Sequence, residues 1–217
     1  MQNLSKRLKA VASLVKKGSS VADVGTDHGY IPVYLIENDI VSSAIAMDIN
    51  EKPLASCQTL VKSKGLENKI QTRLSNGLEN LKRGECDTVI IAGMGAELIV
   101  DILSRCDFKN ELHLILQPMT HPEIARKYLY DNGFEIFNDF IVKDSKHFYS
   151  AFDAKYTGTK TPKTQKDYYF GNISDFSHKE YFLHLLNYLK NKSKSGIDLS
   201  EVISAVEAVS YTHLTLP

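Results

Sequence analysis

The chain has 217 residues, of which 43% are hydrophobic and 24% charged, so it can form one α/β domain with a substantial core and a small appendage. No apolar run approaches the length of a membrane span, and the first residues, MQNLSKRLKA, lack the apolar segment of a signal peptide, which predicts a cytoplasmic protein with no membrane partner. Three widely spaced cysteines (Cys57, Cys86 and Cys106) fit neither a zinc pattern nor a disulfide framework, so we expect reduced core thiols.

The net charge is zero, but it is unevenly distributed. Residues 1–17 carry five basic residues and no acid, and residues 160–195 carry seven lysines against three acids, whereas residues 18–159 carry 14 basic and 20 acidic residues. The basic ends are either the solvated faces of terminal helices or a surface that holds a polyanion against an acidic centre. A predicted N-terminal helix with the apolar stripe Leu4, Leu8, Val11 and Val15 places these cations on its outer face: Lys6, Arg7, Lys9, Lys16 and Lys17.

Apolar runs and helical patterns alternate along most of the chain. This alternation predicts a parallel sheet with helices on both faces. The predicted strands are 19–24, 43–49, 70–74, 87–92 and 113–117, and the predicted helices are 31–38, 53–64, 96–105 and 122–132.

The order changes after residue 134. Residues 135–142 and 147–156 read as strands, and the four residues between them are too few for a parallel crossover, so the pair is predicted to be an antiparallel hairpin. A dinucleotide-binding Rossmann domain does not usually end in this way. By analogy, the pattern resembles the Rossmann-like class I methyltransferase sheet of seven strands, whose last strand is antiparallel.

The C-terminal part is predicted to be a small helical hairpin. Residues 157–165 read as a linker, residues 166–192 become periodic and helical in their later part, and residues 198–209 form a second amphipathic stretch. The hairpin either covers an apolar patch of the main domain or contributes to RNA binding. We therefore expect a main domain at 1–158, a helical hairpin at 159–209 and a non-native tail at 210–217.

The stretch VADVGTDHGYIP, residues 21–32, is the first candidate binding motif. Glycines at the end of a strand let a ligand approach the backbone, as Gly25 and Gly29 would here. The neighbouring carboxylates of Asp23 and Asp27 would repel a pyrophosphate, but they suit a ligand with an amino group and a sulfonium, which describes S-adenosylmethionine. A tight strand-to-helix turn with a solvated aspartate is the alternative.

Later strand ends add further candidates. Asp48 ends the second strand and can accept hydrogen bonds from both hydroxyls of a ribose. Asn76 could bind an adenine edge, and the GMG turn at residues 93–95 could admit a planar substrate or simply join a strand to a helix. The predicted cofactor-binding set is Asp23, Gly25, Asp27, Gly29, Tyr30, Asp48, Ile49, Asn76, Gly77 and Gly93.

Taken together, the segments VADVGTDHGYIP, AMDIN, SNGLENL, DTVIIAGMGAELI and LILQPM resemble bacterial tRNA (adenine-N1)-methyltransferases of the TrmK type, which modify adenosine 22. The resemblance implies S-adenosyl-L-methionine as methyl donor, tRNA as partner, no metal and a C-terminal helical hairpin. The sequence departs from the family pattern at Asn76, Ala96 and Met119, where the family usually has Asp, Gly and Asn.

The chemistry of adenine N1 defines what such a site must do. Its in-plane lone pair can attack a sulfonium methyl directly, so catalysis is mainly positioning in a water-excluding site, and the base must be unpaired. Candidate catalytic residues, which could favour the positive charge of the methylated base, are Asp27, Met94 and Gln117. Candidate substrate-binding residues are Lys6, Arg7, Lys9, His28, Gly95 and Pro118, and the histidines read as structural are His113, His121, His147, His178 and His184.

Three other functions remain open at this stage. A small-molecule methyltransferase would use the same cofactor, a non-enzymatic RNA-binding module would keep only the fold, and a nicotinamide-dependent oxidoreductase would share the ribose-binding acid. The acidic turn and the terminal hairpin count against the last of these. A monomer is expected, although no residue pattern determines the oligomeric state.

Overall fold

The computed structural model describes residues 3–160, 162–173 and 176–212. Its seven strands are β1 (Val21–Val24), β2 (Ala44–Asp48), β3 (Ile70–Leu74), β4 (Thr88–Met94), β5 (His113–Pro118), β6 (Phe134–Asp144) and β7 (His147–Tyr156). Its α-helices are α1 (Lys6–Ser13), α2 (Tyr30–Glu37), α3 (Glu51–Ser63), α4 (Ala96–Ser104), α5 (Pro122–Asp131), α6 (Gln165–Phe170), α7 (Lys179–Ser193) and α8 (Ser200–Thr212).

The seven strands form one sheet in the order β3-β2-β1-β4-β5-β7-β6. Strands β1 to β5 are parallel, whereas β7 runs antiparallel to both β5 and β6. The predicted α/β class and the antiparallel hairpin are therefore confirmed. Because the first five strands are parallel, their carboxyl ends meet at one edge of the sheet, which is where ligands bind in such folds.

Helices cover the sheet on both faces, as the buried strands require. Strand β4 shows the division: Val89 and Ile91 belong to a hydrophobic cluster with α4 and α5, and Ile90 belongs to a second cluster with α1, α2 and α3. The cysteines Cys57, Cys86 and Cys106 are buried and free, as predicted. Within the described part of the chain, no helix is long and apolar enough to cross a membrane.

The N-terminal helix is shorter than the sequence suggested. Helix α1 ends at Ser13, so Lys16 and Lys17 lie outside it, in a pocket at the opposite edge of the sheet with Asp87 and Glu111. The five cations of residues 1–17 therefore do not share one helix face, and that expectation was wrong. The physical reason is local: Leu14 and Val15 are buried against the domain, so the chain turns after Ser13 instead of continuing as a helix.

The C-terminal helices form a third hydrophobic cluster on the end of the β6–β7 hairpin. Phe182, Leu189, Val202 and Val206 are its most buried members, and Ile141 joins it from β6. The sequence pattern identified the α7–α8 pair but not the separate helix α6. Helix α8 continues to Thr212, beyond the expected end at residue 209, and the rest of the predicted tail, residues 213–217, lies outside the described residues.

A buried ion pair joins the C-terminal segment to the main domain. The guanidinium of Arg126 on α5 donates to both carboxylate oxygens of Asp139 on β6, at 2.9 and 3.0 Å, and it also donates to the carbonyl of Tyr168 on α6 at 3.1 Å. Gly171, which ends α6, covers this pair with φ 61°; a Cβ there would lie 2.0 Å from Asp139 Oδ2. No side chain fits at this position without displacing the pair.

We predict that Gly171→Ala lowers the free energy of unfolding by about 3–5 kcal/mol, because the added methyl group separates a buried charge from its partner. Gly196→Ala is the matched control, since Gly196 also has a positive φ of 89° but has no atom within 4 Å of its absent Cβ. Backbone strain alone makes the control cost about 1–2 kcal/mol. Chemical denaturation of both variants tests this, and equal losses would contradict it.

Candidate active site

Loops that follow β1, β2, β4 and β5 surround the carboxyl edge of the sheet. Between β1, β4 and α1 they enclose a small cavity of about 190 Å³. Its lining brings together two acids and one cation from segments far apart in the chain. The lining residues are Arg7, Leu8, Asp23, Gly25, Thr26, Asp27, Tyr30, Ile31, Ala92 and Gly93.

Asp23 is a buried acid at the centre of this cavity wall. Its carboxylate accepts a hydrogen bond of 2.7 Å from the hydroxyl of Thr26, and no cation of the described residues forms an ion pair with it. Burial, with a smaller contribution from the charge of Asp48, raises the pKa of Asp23 to about 7. The folded state therefore favours the protonated form of Asp23. As the pH rises from about 4 to about 7, this group lowers the free energy of unfolding, because the unfolded chain releases the proton more easily than the folded one.

The turn after β1 contains three left-handed residues: Gly25 at φ 70°, Asp27 at φ 52° and Gly29 at φ 75°. A Cβ at Gly25 would lie 2.2 Å from the methyl carbon of Met94, and a Cβ at Gly29 would lie 2.4 Å from the sulfur of Cys57. The space beside both glycines is therefore taken by a side chain, that of Met94 from β4 at Gly25 and that of Cys57 from α3 at Gly29. The compactness at Gly29 comes from this packing, which the sequence motif alone did not reveal.

Asp48 fixes the turn from the neighbouring strand. Its Oδ2 accepts from the backbone N–H of Asp27 at 3.3 Å, and its Oδ1 accepts from the backbone N–H of Asn50 at 2.9 Å. Each carboxylate oxygen has capacity for one further hydrogen bond, which keeps the predicted ribose contact available. Ile49 follows with a side chain that is 58% exposed, so an apolar surface lies next to this carboxylate.

The two residues predicted to contact adenine, Asn76 and Gly77, lie in the loop after β3. The exposed amide of Asn76 donates to Glu79 Oε1 at 2.8 Å. Gly77 has φ 60°, and a Cβ there would lie 2.8 Å from Ile102 of α4, so its small size serves packing as well. The adenine contact of these two residues stays a prediction.

Gln117 connects three elements below the cavity. Its side chain is fully buried. The side-chain oxygen Oε1 accepts hydrogen bonds from Arg7 Nη1 at 2.5 Å and from the backbone N–H of Gly93 at 3.2 Å. The side-chain nitrogen Nε2 donates to the carbonyl of Pro118 at 2.9 Å. Gly93 is the extra residue of a bulge in β4, which the pairing with β5 shows between Ala92 and Met94. Gln117 thus positions Arg7 and the bulge, while Met94 accepts a hydrogen bond of 2.8 Å from the N–H of Met119.

The position of Arg7 in the structure differs most from the position that the sequence pattern predicts. Arg7 was grouped with the outer lysines, but its guanidinium lies inside the cavity wall, 3.6 Å from the position of an absent Cβ at Gly93. Lys6 and Lys9 are exposed on the outer side of α1, as expected. The backbone N–H of Arg7 donates to Asp144 Oδ2 at 3.1 Å, which holds the start of α1 over the hairpin and lowers the pKa of Asp144, together with a larger contribution from Ser5.

The other predicted substrate residues, His28, Gly95 and Pro118, lie at the carboxyl ends of β1, β4 and β5, and none of the three lines the small cavity. His28 and Tyr30 stack with ring centroids 5.2 Å apart, and His28 Nε2 lies 3.6 Å from Asp27 Oδ1 at the exposed rim. Gly95 is the N-cap of α4, and Pro118 ends β5. In the described residues, no group of three or more histidine, cysteine or acidic side chains is arranged to hold a metal ion.

Comparison with known proteins places the chain among methyltransferases. Residues 4–152 match the model of the methyltransferase domain family. The tRNA (adenine(22)-N(1))-methyltransferase of Bacillus subtilis is 38% identical over 154 residues, which cover 70% of this chain and 65% of that protein. The chain therefore matches slightly less than two thirds of the length of this curated relative.

Solved structures agree over nearly the whole chain. Streptococcus pneumoniae Sp1610 in complex with S-adenosyl-L-methionine has a TM-score of 0.86 at 31% identity, covering 96% of this chain and 100% of that one. TrmK of M. capricolum in complex with S-adenosyl-homocysteine has a TM-score of 0.79 at 28% identity, covering 96% and 97%. The fold and the family match define a class I methyltransferase.

The chain belongs to the methyltransferase domain family, and its resemblance to the TrmK type is confirmed.

We predict that Asp48→Asn weakens the binding of S-adenosylhomocysteine about 10- to 100-fold, because an amide replaces a charged acceptor of hydrogen bonds. Glu51→Gln is the matched control, since Glu51 is an exposed acid three residues further on at the start of α3. Calorimetric titration measures both affinities. Equal affinities in the two variants would remove the ribose contact from the account.

Proposed function

We propose that this chain transfers the methyl group of S-adenosyl-L-methionine to N1 of adenosine 22 in tRNA. The observation that carries the proposal is the set of charges in the small cavity: Asp23 and Asp27 come from β1 and the turn after it, and Arg7 comes from α1. The methionine end of this donor has a cationic amino group, an anionic carboxylate and a sulfonium. Its three charges fit this cavity better than a pyrophosphate, which two acids would repel.

The residues present fit this cofactor along its whole length. Asp48 would hold the ribose hydroxyls, Asn76 the adenine edge and the acids of the first turn the amino group. Arg7, fixed by Gln117, would pair with the carboxylate, because a guanidinium binds a carboxylate with two parallel hydrogen bonds. When bound, this cofactor supplies an electrophilic methyl group, and no metal is needed for the transfer.

The surrounding residues would position the base. Adenine N1 lies on the Watson–Crick edge, so the base must leave both its base pair and the stack of neighbouring bases before it can react. The GMG turn gives a planar base access beside β4, and the exposed His28–Tyr30 pair offers rings at the rim. Asp27 carries a carboxylate at the same opening, where it would stabilise the positive charge that develops on the methylated base.

Phosphates would be held on the outer side of α1. Lys6 and Lys9 are exposed there, and Arg7, which lies between them in the sequence, lines the small cavity. The basic segment near the C-terminus contributes less than its composition suggests, because Lys190 and Lys192 pair with Glu207 and Glu123. We further propose that the enzyme acts as a monomer in the cytoplasm, where its tRNA substrate is found.

The experiment that tests the function is direct. Unmodified bulk tRNA is incubated with the chain and a methyl-labelled donor, and the modified nucleoside is identified and mapped. We expect 1-methyladenosine at position 22. Label at another nucleotide, or transfer only to small molecules, would contradict the proposal.

Two variants separate the cations of α1. Lys6→Ala/Lys9→Ala should weaken tRNA binding uniformly and reduce the slope of log affinity against log salt by about two, with donor affinity unchanged. Arg7→Met should raise the KM for the donor at least tenfold and leave that slope nearly unchanged, because its charge faces the cavity. If Arg7→Met behaves like the lysine variant, Arg7 belongs to the phosphate surface.

A further inference from the structure

A second, larger cavity of about 640 Å³ lies beside the candidate active site. It opens between the end of β5, the turn of the β6–β7 hairpin and helices α6 and α7. Its volume is within the range of ligand pockets in proteins. Half of its sixteen lining residues carry an aromatic or imidazole ring, among them Phe148, Tyr149, Tyr169, Tyr181, His184 and Tyr188.

The larger cavity is a neighbour of the small cavity of the candidate active site, and Arg7 and Tyr149 lie between the two. Its floor starts at Pro118 and Met119, directly after Gln117, whose side chain holds Arg7. The guanidinium of Arg7, which lines the smaller cavity, lies 5.6 Å from the ring centre of Tyr149, which lines the larger one. Adjacent strands are about 4.8 Å apart. If one nucleotide of the tRNA reacts beside β4, the nucleotide next to it can therefore reach the cavity beyond β5.

The chemistry of the walls suits a nucleobase. Aromatic rings bind unpaired bases by stacking, with little preference for sequence, and cations near them attract the phosphate backbone. Lys146 lines the cavity and supplies such a cation. The ammonium of Lys192 lies 5.4 and 5.2 Å from the ring centres of Tyr169 and Tyr188, but it is paired with Glu123 and therefore orders the wall instead of attracting phosphate. The polar end of this wall is ordered: the Tyr188 hydroxyl donates to Glu123 Oε1 at 2.9 Å.

We propose that this aromatic cavity binds a second unpaired nucleobase of the tRNA, next to the base that is methylated. The inference rests on the proposed function, because it takes tRNA as the substrate. It gives the C-terminal helices a part in substrate selection, since α6 and α7 supply one wall. A tRNA whose neighbouring base cannot leave its stack would then be a poor substrate.

The absence of tryptophan from the sequence makes a direct test possible. His184→Trp places a single indole at the exposed mouth of the cavity, and Leu183→Trp places one at the adjacent position of α7, which is 48% exposed and not part of the cavity wall. Unmodified bulk tRNA should quench the first indole at least twofold and leave the second nearly unchanged. Equal quenching of both indoles, or of neither, would overturn the proposal.

A kinetic pair tests the same point without an added ring. Phe148→Leu keeps an apolar side chain but removes a stacking surface, and Phe140→Leu makes the same change at an exposed position of β6 outside the cavity wall. We expect the first to raise the KM for tRNA at least fivefold, with donor affinity unchanged in both. Identical KM values in the two variants would overturn the proposal.

Two further outcomes separate the cavity from the proposed function. Quenching of the His184→Trp indole by micromolar adenosine monophosphate, with no response to tRNA, would overturn the proposal and indicate a small-molecule site. If the wild-type chain methylates no tRNA but tRNA still quenches only the His184→Trp variant, then the proposed reaction fails and the cavity stands as a nucleobase site.

Discussion

The site depends on Asp23, a buried carboxyl that forms no ion pair with any cation in the part of the chain that the structure describes. Asp23 lies at the end of β1, where burial and the charge of Asp48 raise its pKa to about 7. Leaving a carboxylate in such a place is unfavourable, and a bound cation removes the penalty. The left-handed turn, the anchoring of Asp27 by Asp48 and the bulge at Gly93 all keep space open beside this group. The structure is therefore prepared for a ligand with positive charge.

The fold was predictable because its signals are local. Parallel strands gave continuous apolar runs, and the four-residue gap after residue 142 required a hairpin. Residues at strand ends were predictable for the same reason, since β1 and β2 place Asp23 and Asp48 at one edge. The end of helix α1 was harder to predict. The spacing of apolar residues continued through Val15, but Leu14 and Val15 are buried at a turn, so Lys16 and Lys17 do not belong to the helix.

What the sequence could not reveal are contacts between distant segments. Arg7 forms a hydrogen bond with Gln117, which lies 110 residues further along the chain. The local run of basic residues therefore suggested that Arg7 is solvated like its lysine neighbours, and it did not indicate that Arg7 lines the cavity. The space beside Gly29 is filled by Cys57, which no motif predicts. The histidines at 121, 147 and 184 read as structural because their spacing matches no ligand set, yet they line one cavity with the aromatic rings of the hairpin and α7.

The most direct test of the central claim is the number of protons released when the donor binds. Calorimetric titration with S-adenosyl-L-methionine at pH 7, in two buffers of different ionisation enthalpy, measures it. Burial raises the pKa of Asp23 to about 7, so its carboxyl is partly protonated before binding, and a cationic ligand favours the ionised form; binding of the donor should therefore release protons. Asp23→Asn should bind more weakly and release none. Binding without proton release, equal in the two proteins, would contradict the account.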